Sequence, residues 1–221
     1  MDRLPDATDR ALTIMMVAIP VAAFAGAFLV GSIPFGYIIG RVFYRTDIRK
    51  QGSGNIGAMN ALRTLGSAGA VAVLLLDALK GFAPTIWALL FFNGHPPGHE
   101  IIGAIVAAGA VLGHCFSPWL RWRGGKGVAT SFGAVFALCW PAGLVAVAGW
   151  FAGAALVRYS SVGSMLGSVL APIALWFFTG SLPETLYGVF AAALIVFAHR
   201  ENIRRLRAGT ESPIRLSKER G

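Results

Sequence analysis

Long apolar stretches separated by short polar segments dominate this chain, at about 13–43, 67–92, 101–120, 128–157, 162–180 and 184–199. A helix satisfies its own backbone hydrogen bonds, and about 20 apolar residues carry it across the hydrocarbon of a bilayer. Hydrophobic residues fill 56% of the 221 positions and charged residues only 13%, too few charges to clothe a water-soluble surface. The expected architecture is an all-α integral membrane protein, a single polytopic domain over residues 1–221.

The fourth stretch is too long for one comfortable crossing, and Pro141 with Gly143 near its middle predicts a helical hairpin. Pro34 lies near one end of the first stretch, which therefore reads as one kinked or tilted span. Seven transmembrane helices follow. Charge placement orients them: Arg41, Arg45, Arg49, Lys50, Arg63, Arg121, Arg123, Lys126, Arg158 and the tail from Arg200 fall on one side, while the loops 93–100 and 179–184 hold no Lys or Arg. Cytoplasmic loops carry such an excess, so the N-terminus is placed outside and the C-terminus inside. Residues 1–12 then form an acidic outer leader that is retained rather than cleaved, and 208–221 a loose basic cytoplasmic tail.

A net charge of +9 could suit nucleic acid, but the basic residues sit between apolar spans, so lipid headgroups and anionic substrates are the expected partners and nucleic acid is not. Cys115 and Cys139 lie in or near apolar segments and read as small core residues. Asp77 and Lys80, three apart inside a span, are expected to neutralise one another first of all, or to line a polar cavity. His114 reads as a hydrogen-bonded interior histidine, and His95 and His99 as solvated loop residues.

Four polar clusters remain, all on the inner face. In the first, Gly52, Gly54 and Gly57 let backbone N–H groups curl around an anion, Ser53 and Asn55 add donors, and a helix beginning near Gly57 would place Asn60 and Arg63 on one face. In the second, Gly124-Gly125-Lys126-Gly127 puts a cation beside the free N–H groups of a helix start, an arrangement that favours phosphate. The third places His199 and Asn202 on one face, with Arg200, Arg204 and Arg207 on a separate stripe suited to headgroups. In the fourth, Ser161 suits a helix N-cap while Ser164, one turn in, can contact a ligand. No cluster of inner-face carboxylates is present to hold Mg²⁺, so no metal site is expected. The whole is a place for two phosphate groups beside lipid.

The segments GSGNIGAMNALRTLG, LDALKG, RWRGGKGVATSFG, RYSSVGS and HRENIRRLRAGTE resemble, in order and over most of the chain, the bacterial membrane acyl-phosphate:glycerol-3-phosphate acyltransferase family. Met59 departs from the threonine usual there. The resemblance implies a multi-pass protein of the bacterial plasma membrane with a cytoplasmic active site. It implies transfer of a fatty acyl group from acyl phosphate to the 1-hydroxyl of glycerol 3-phosphate, giving lysophosphatidic acid and phosphate without metal or coenzyme. Its functional residues fall on Ser53, Arg63, Lys126, Ser164, His199 and Asn202. No His is followed five residues later by Asp, so a dedicated His–Asp base is not expected. Direct attack by the hydroxyl, with the phosphate taking the proton, is the simplest mechanism, and His199 as base the variant. A transporter of organic phosphate is the competing class; its site would lie at the midplane rather than at one face.

Overall fold

The computed structural model describes residues 7–95 and 98–214. Among them the chain forms α1 (Ala7–Gly31), α2 (Phe35–Phe43), α3 (Ala58–Phe91), α4 (His99–Cys115), α5 (Val128–Leu138), α6 (Trp140–Val157), α7 (Ser160–Thr179), α8 (Leu182–Ala198) and α9 (Arg200–Arg207), with short 3-10 turns at Ile48–Lys50 and Pro118–Leu120. Val17, Val21, Leu29, Leu75, Leu90, Leu156 and Phe177 are all more than half exposed. At about 25 cal/mol per Å² of apolar surface, such a belt is stable facing lipid and costly facing water.

With lipid outside, the helices gain little from hydrophobic burial against one another and associate through close backbone packing. Glycines supply it. A Cβ on Gly113 would lie 2.1 Å from the Phe28 carbonyl oxygen, which lets α1 lie against α4. Gly149 and Gly153 on α6 face Gly167 and Gly163 on α7, each pair spaced by three residues, and a Cβ on Gly153 would come within 2.9 Å of the Gly163 Cα.

Among the described residues, five segments are long and apolar enough to cross a membrane: Met16–Phe43, Ala58–Phe91, His99–Leu120, Trp140–Val157 and Ser160–Thr179. A sixth is Leu182–Ala198 with Arg200–Arg207, bent by 53°. The first contains the break expected at Pro34. A break within 128–157 is present, but the two helices are unequal: α5 has 11 residues, about 16 Å at 1.5 Å per residue and about half the hydrocarbon thickness. The break also falls earlier than Pro141, at Cys139 (φ −154°, ψ 104°). Pro141 occupies the first turn of α6, where its missing N–H is no loss, so it starts the second limb instead of interrupting a longer helix.

The tail is less loose than the sequence suggests. After α9 the chain folds back, Glu211 pairs with Arg205 at 2.7 Å, and the Ile214 N–H donates to the Arg158 carbonyl at 2.8 Å. Residues 215–221 lie outside the described residues, as does 1–6 of the leader, whose remainder belongs to α1.

Candidate active site

The glycine loop before α3 is organised by one buried amide. Asn60, 2% exposed, accepts from the Ser53 N–H at 2.8 Å and donates to the carbonyls of Ile48 at 2.8 Å and Asn55 at 2.7 Å. Asn55 caps the Gly57 N–H at 2.8 Å. Gly52 and Gly54 take left-handed backbone (φ +57° and +71°), and a Cβ on Gly52 would lie 2.3 Å from Asn60 Oδ1. The two asparagines and two glycines therefore shape the loop, leaving Ser53 exposed on it and Arg63 exposed on the first turns of α3. Arg63 donates to the Ser212 carbonyl at 3.4 Å.

The second glycine turn is used differently from its sequence expectation. The Gly124 and Gly125 N–H groups donate to the Cys115 and His114 carbonyls at the end of α4, both at 3.0 Å, so they are not free to cradle an anion. They deliver Lys126 instead. Gly127 (φ +83°) opens α5, whose first-turn N–H groups have no partner within the helix. Lys126 Nζ donates to Asn202 Oδ1. Burial pushes its ammonium down to about 8, with Arg205 and Arg63 adding to the effect and Glu211 opposing it.

His199 stands at the junction of α8 and α9, 3% exposed. Its Nδ1 lies 2.7 Å from the Ile195 carbonyl, which can only accept, so Nδ1 carries the hydrogen and Nε2 keeps a lone pair. Asn202 Nδ2 donates to Glu211 Oε1 at 2.6 Å, Ser161 Oγ to the same oxygen at 2.9 Å, and Arg205 Nε to Oε2 at 2.7 Å. Glu211 is thus the hub that ties α7, α9 and the returning tail together. Ser161 spends its hydroxyl on this hub, whereas the N-cap of α7 is Tyr159, with no side-chain cap bond. Ser164 donates to the Ser160 carbonyl at 2.8 Å and keeps its oxygen as an acceptor.

These groups border one cavity of about 450 Å³. Ser53, Asn55, Asn60, Arg63, Lys126, Ser164, His199 and Asn202 all line it, as does Met59; Gly52, Gly54, Gly124 and Gly125 do not. Beyond the polar mouth the wall turns apolar, with Leu74 and Leu75 of α3, Phe132 and Phe136 of α5, and Val147 and Phe151 of α6. Leu75 and Phe151 are both more than half exposed, so the apolar arm reaches the surface of the bundle. Asp77 and Lys80 pair as expected, at 2.8 Å. His114 differs from expectation: its Nδ1 lies 3.6 Å from Asp77 Oδ1, too far for a hydrogen bond. His95 is exposed, while His99 begins α4 instead of lying in the loop.

A family described as Glycerol-3-phosphate acyltransferase matches residues 21–209. A glycerol-3-phosphate acyltransferase of Rhodopseudomonas palustris (strain HaA2) is 44% identical over 200 residues, covering 90% of this chain and 98% of that protein. One of Nitrobacter winogradskyi is 47% identical over 192 residues, covering 87% and 94%. The crystal structure of PlsY (YgiH), an integral membrane glycerol 3-phosphate acyltransferase, in its glycerol 3-phosphate form superposes with a TM-score of 0.82 at 33% identity, covering 89% of this chain and 96% of that one. Its lysophosphatidic acid form gives a TM-score of 0.80 at 32% identity, with the same coverage.

Proposed function

We propose, from the premise that this chain belongs to the glycerol-3-phosphate acyltransferase family, that it moves a fatty acyl group from acyl phosphate to the 1-hydroxyl of glycerol 3-phosphate, releasing lysophosphatidic acid and phosphate. The observation that carries the reading is the two-sided cavity: a mouth bearing Lys126, Arg63, Ser53 and His199 runs into an apolar arm walled by α3, α5 and α6. Phosphates suit the mouth and an acyl chain the arm. The Lys/Arg asymmetry supports seven passages, counting α5, with the site on the cytoplasmic face of a bacterial plasma membrane.

In this reaction the glycerol oxygen attacks the acyl carbonyl carbon, the carbon–oxygen bond to phosphate breaks, and the hydroxyl proton goes to the departing phosphate. Lys126 and the first-turn N–H groups of α5 stabilise charge on the phosphate, and Arg63 supplies a second cation at the rim. The His199 Nε2 lone pair accepts a hydrogen bond from the attacking hydroxyl and orients it. An organic-phosphate transporter has no use for an apolar arm beside the phosphate ligands, and the family membership supports the enzyme. Purified protein given acyl phosphate, acyl-CoA and glycerol 3-phosphate in separate combinations tests the reading. Phosphate release that requires both acyl phosphate and glycerol 3-phosphate is the expected result; turnover with acyl-CoA alone as donor would overturn the donor assignment.

A further inference from the structure

The reaction as described leaves one buried titratable cluster unused. Asp77 and His114 are 1% and 4% exposed and line the same cavity as Lys126. Asp77 pairs with Lys80 at 2.8 Å, and Lys80 Nζ also donates to the Ile33 carbonyl between α1 and α2, at 2.8 Å. His114 stands against this pair, its Nδ1 3.6 Å from Asp77 Oδ1.

A histidine beside an aspartate near a reacting centre invites assignment as a base, but this ring also carries the Gly124-Gly125 turn on its far edge. A Cβ on Gly125 would lie 2.0 Å from His114 Nε2, 2.7 Å from Cε1 and 3.0 Å from Cδ2. The backbone of the turn therefore sits directly on the Nε2 edge of the imidazole. The same residue's carbonyl accepts the Gly125 N–H at 3.0 Å. Backbone and ring together support the turn one residue before Lys126.

We propose that His114 is the positioning residue for Lys126: the Gly124-Gly125 turn is seated on its ring, the ring is backed by the Asp77–Lys80 pair, and this seat sets how far the ammonium projects into the cavity. The inference rests on Lys126 being the phosphate ligand of the acyl-transfer site. Glycine is required at position 125 because the three nearest atoms to a Cβ there all belong to the ring. Without the ring the turn can sink into the vacated space, drawing the ammonium away from the phosphate and changing its burial. The groups facing Lys126, namely Arg63, Arg205, Glu211, Asn202 and His199, are untouched by such a change, so any altered titration of Lys126 would report its burial.

The test is a mutant cycle on the full-length purified enzyme with acyl phosphate and glycerol 3-phosphate, comparing wild type, Gly125→Ala, His114→Ala and the double variant. Gly125→Ala should raise KM for glycerol 3-phosphate by about 10-fold or more, as expected for a ligand displaced by about 1 Å. His114→Ala should raise KM by about 10-fold with kcat changed by less than about threefold, and should move the alkaline limb of kcat/KM. The double variant should match His114→Ala, because the added methyl then has room. A harmless Gly125→Ala, an unmoved alkaline limb in His114→Ala, or a double variant showing the product of the two single losses would overturn the proposal. If His114→Ala does not yield a monodisperse protein, Gly125→Ala decides alone, by its KM. An inactive wild type would count instead against the acyl-transfer reading.

Discussion

The ammonium of Lys126, on the turn that opens α5, donates to the amide oxygen of Asn202 on α9, joining positions 76 apart in sequence. The other end of that amide donates to Glu211 at 2.6 Å. The cation of the second glycine motif is thereby held by the third motif, and the two cannot be altered independently. Asn202→Ala would leave Lys126 without this partner, and Asn202→Asp would replace a neutral acceptor by an anion that competes with the substrate phosphate.

Lys126→Ala and Arg63→Ala should each lower kcat/KM by about 10²–10³-fold, the range seen when a preorganised charge-stabilising group is lost. Arg123→Ala should stay within about twofold, because Arg123 is exposed and does not line the cavity. Steady-state kinetics in detergent or lipid measures all three. Equal losses at Arg123 would mean that general surface charge is being read.

The lowered titration of Lys126, at about 8, gives a pH dependence with a definite sign. The ammonium is charged below that value and loses its proton as pH rises through it, so kcat/KM for the free enzyme should fall on the alkaline side with an inflection near 8. Lys126→Arg stays charged throughout, so any residual activity should lack this limb. A profile of kcat/KM from neutral to strongly alkaline pH for both proteins checks it.

Burial pushes the Glu211 carboxyl up, but donation from Asn202, Arg205 and Ser161 outweighs it and holds the group below its ordinary 4.5. Its contribution to stability is then present above 4.5 and is lost as pH falls through the folded-state value. Glu211→Gln should lower the apparent Tm at neutral pH by roughly 2–6 °C, and the gap from wild type should narrow in acid. Thermal unfolding at pH 7 and pH 4 measures this; equal stability at neutral pH would show that the hub does not secure the tail.

Much of this arrangement is legible in the sequence because apolar length and Gly-rich polar clusters act locally. The stretches, the break at Pro34 and the pairing of Asp77 with Lys80 follow from such local rules. Glu211 does not: it is a single acid in a basic tail, and its role depends on the chain turning back after α9 to meet Ser161 and Asn202. Gly124 and Gly125 look like anion-binding glycines until the end of α4 is seen to take their N–H groups. The unequal lengths of α5 and α6 are equally hidden, since Cys139 carries no helix-breaking signal of its own and Pro141 reads as the break when it is the start.

Seven passages with the motif loops inside predict a specific labelling pattern. With Cys139 replaced, Arg123→Cys should react with a membrane-impermeant thiol reagent only after cells are opened, whereas Asn93→Cys, in the loop between α3 and α4, should react from outside. Labelling of Arg123→Cys in intact cells would reverse the orientation and move the site to the other face.

The Nδ1–H of His199 is committed to the Ile195 carbonyl at 2.7 Å, so the residue meets the cavity as an acceptor at Nε2. An acceptor can align the glycerol hydroxyl without taking its proton, because the departing phosphate can take it, or it can act as the base. The two roles give different mutants. Under alignment, His199→Gln, whose amide oxygen also accepts, should retain a rate about 10-fold or more above His199→Ala, and its pH profile should need no titrating imidazole. The measurement is kcat/KM against pH for both variants at saturating acyl phosphate. If Gln is as inactive as Ala, and an ionisation in the histidine range disappears from the residual rate, His199 takes the proton itself and transfer assisted by the substrate's own phosphate is wrong.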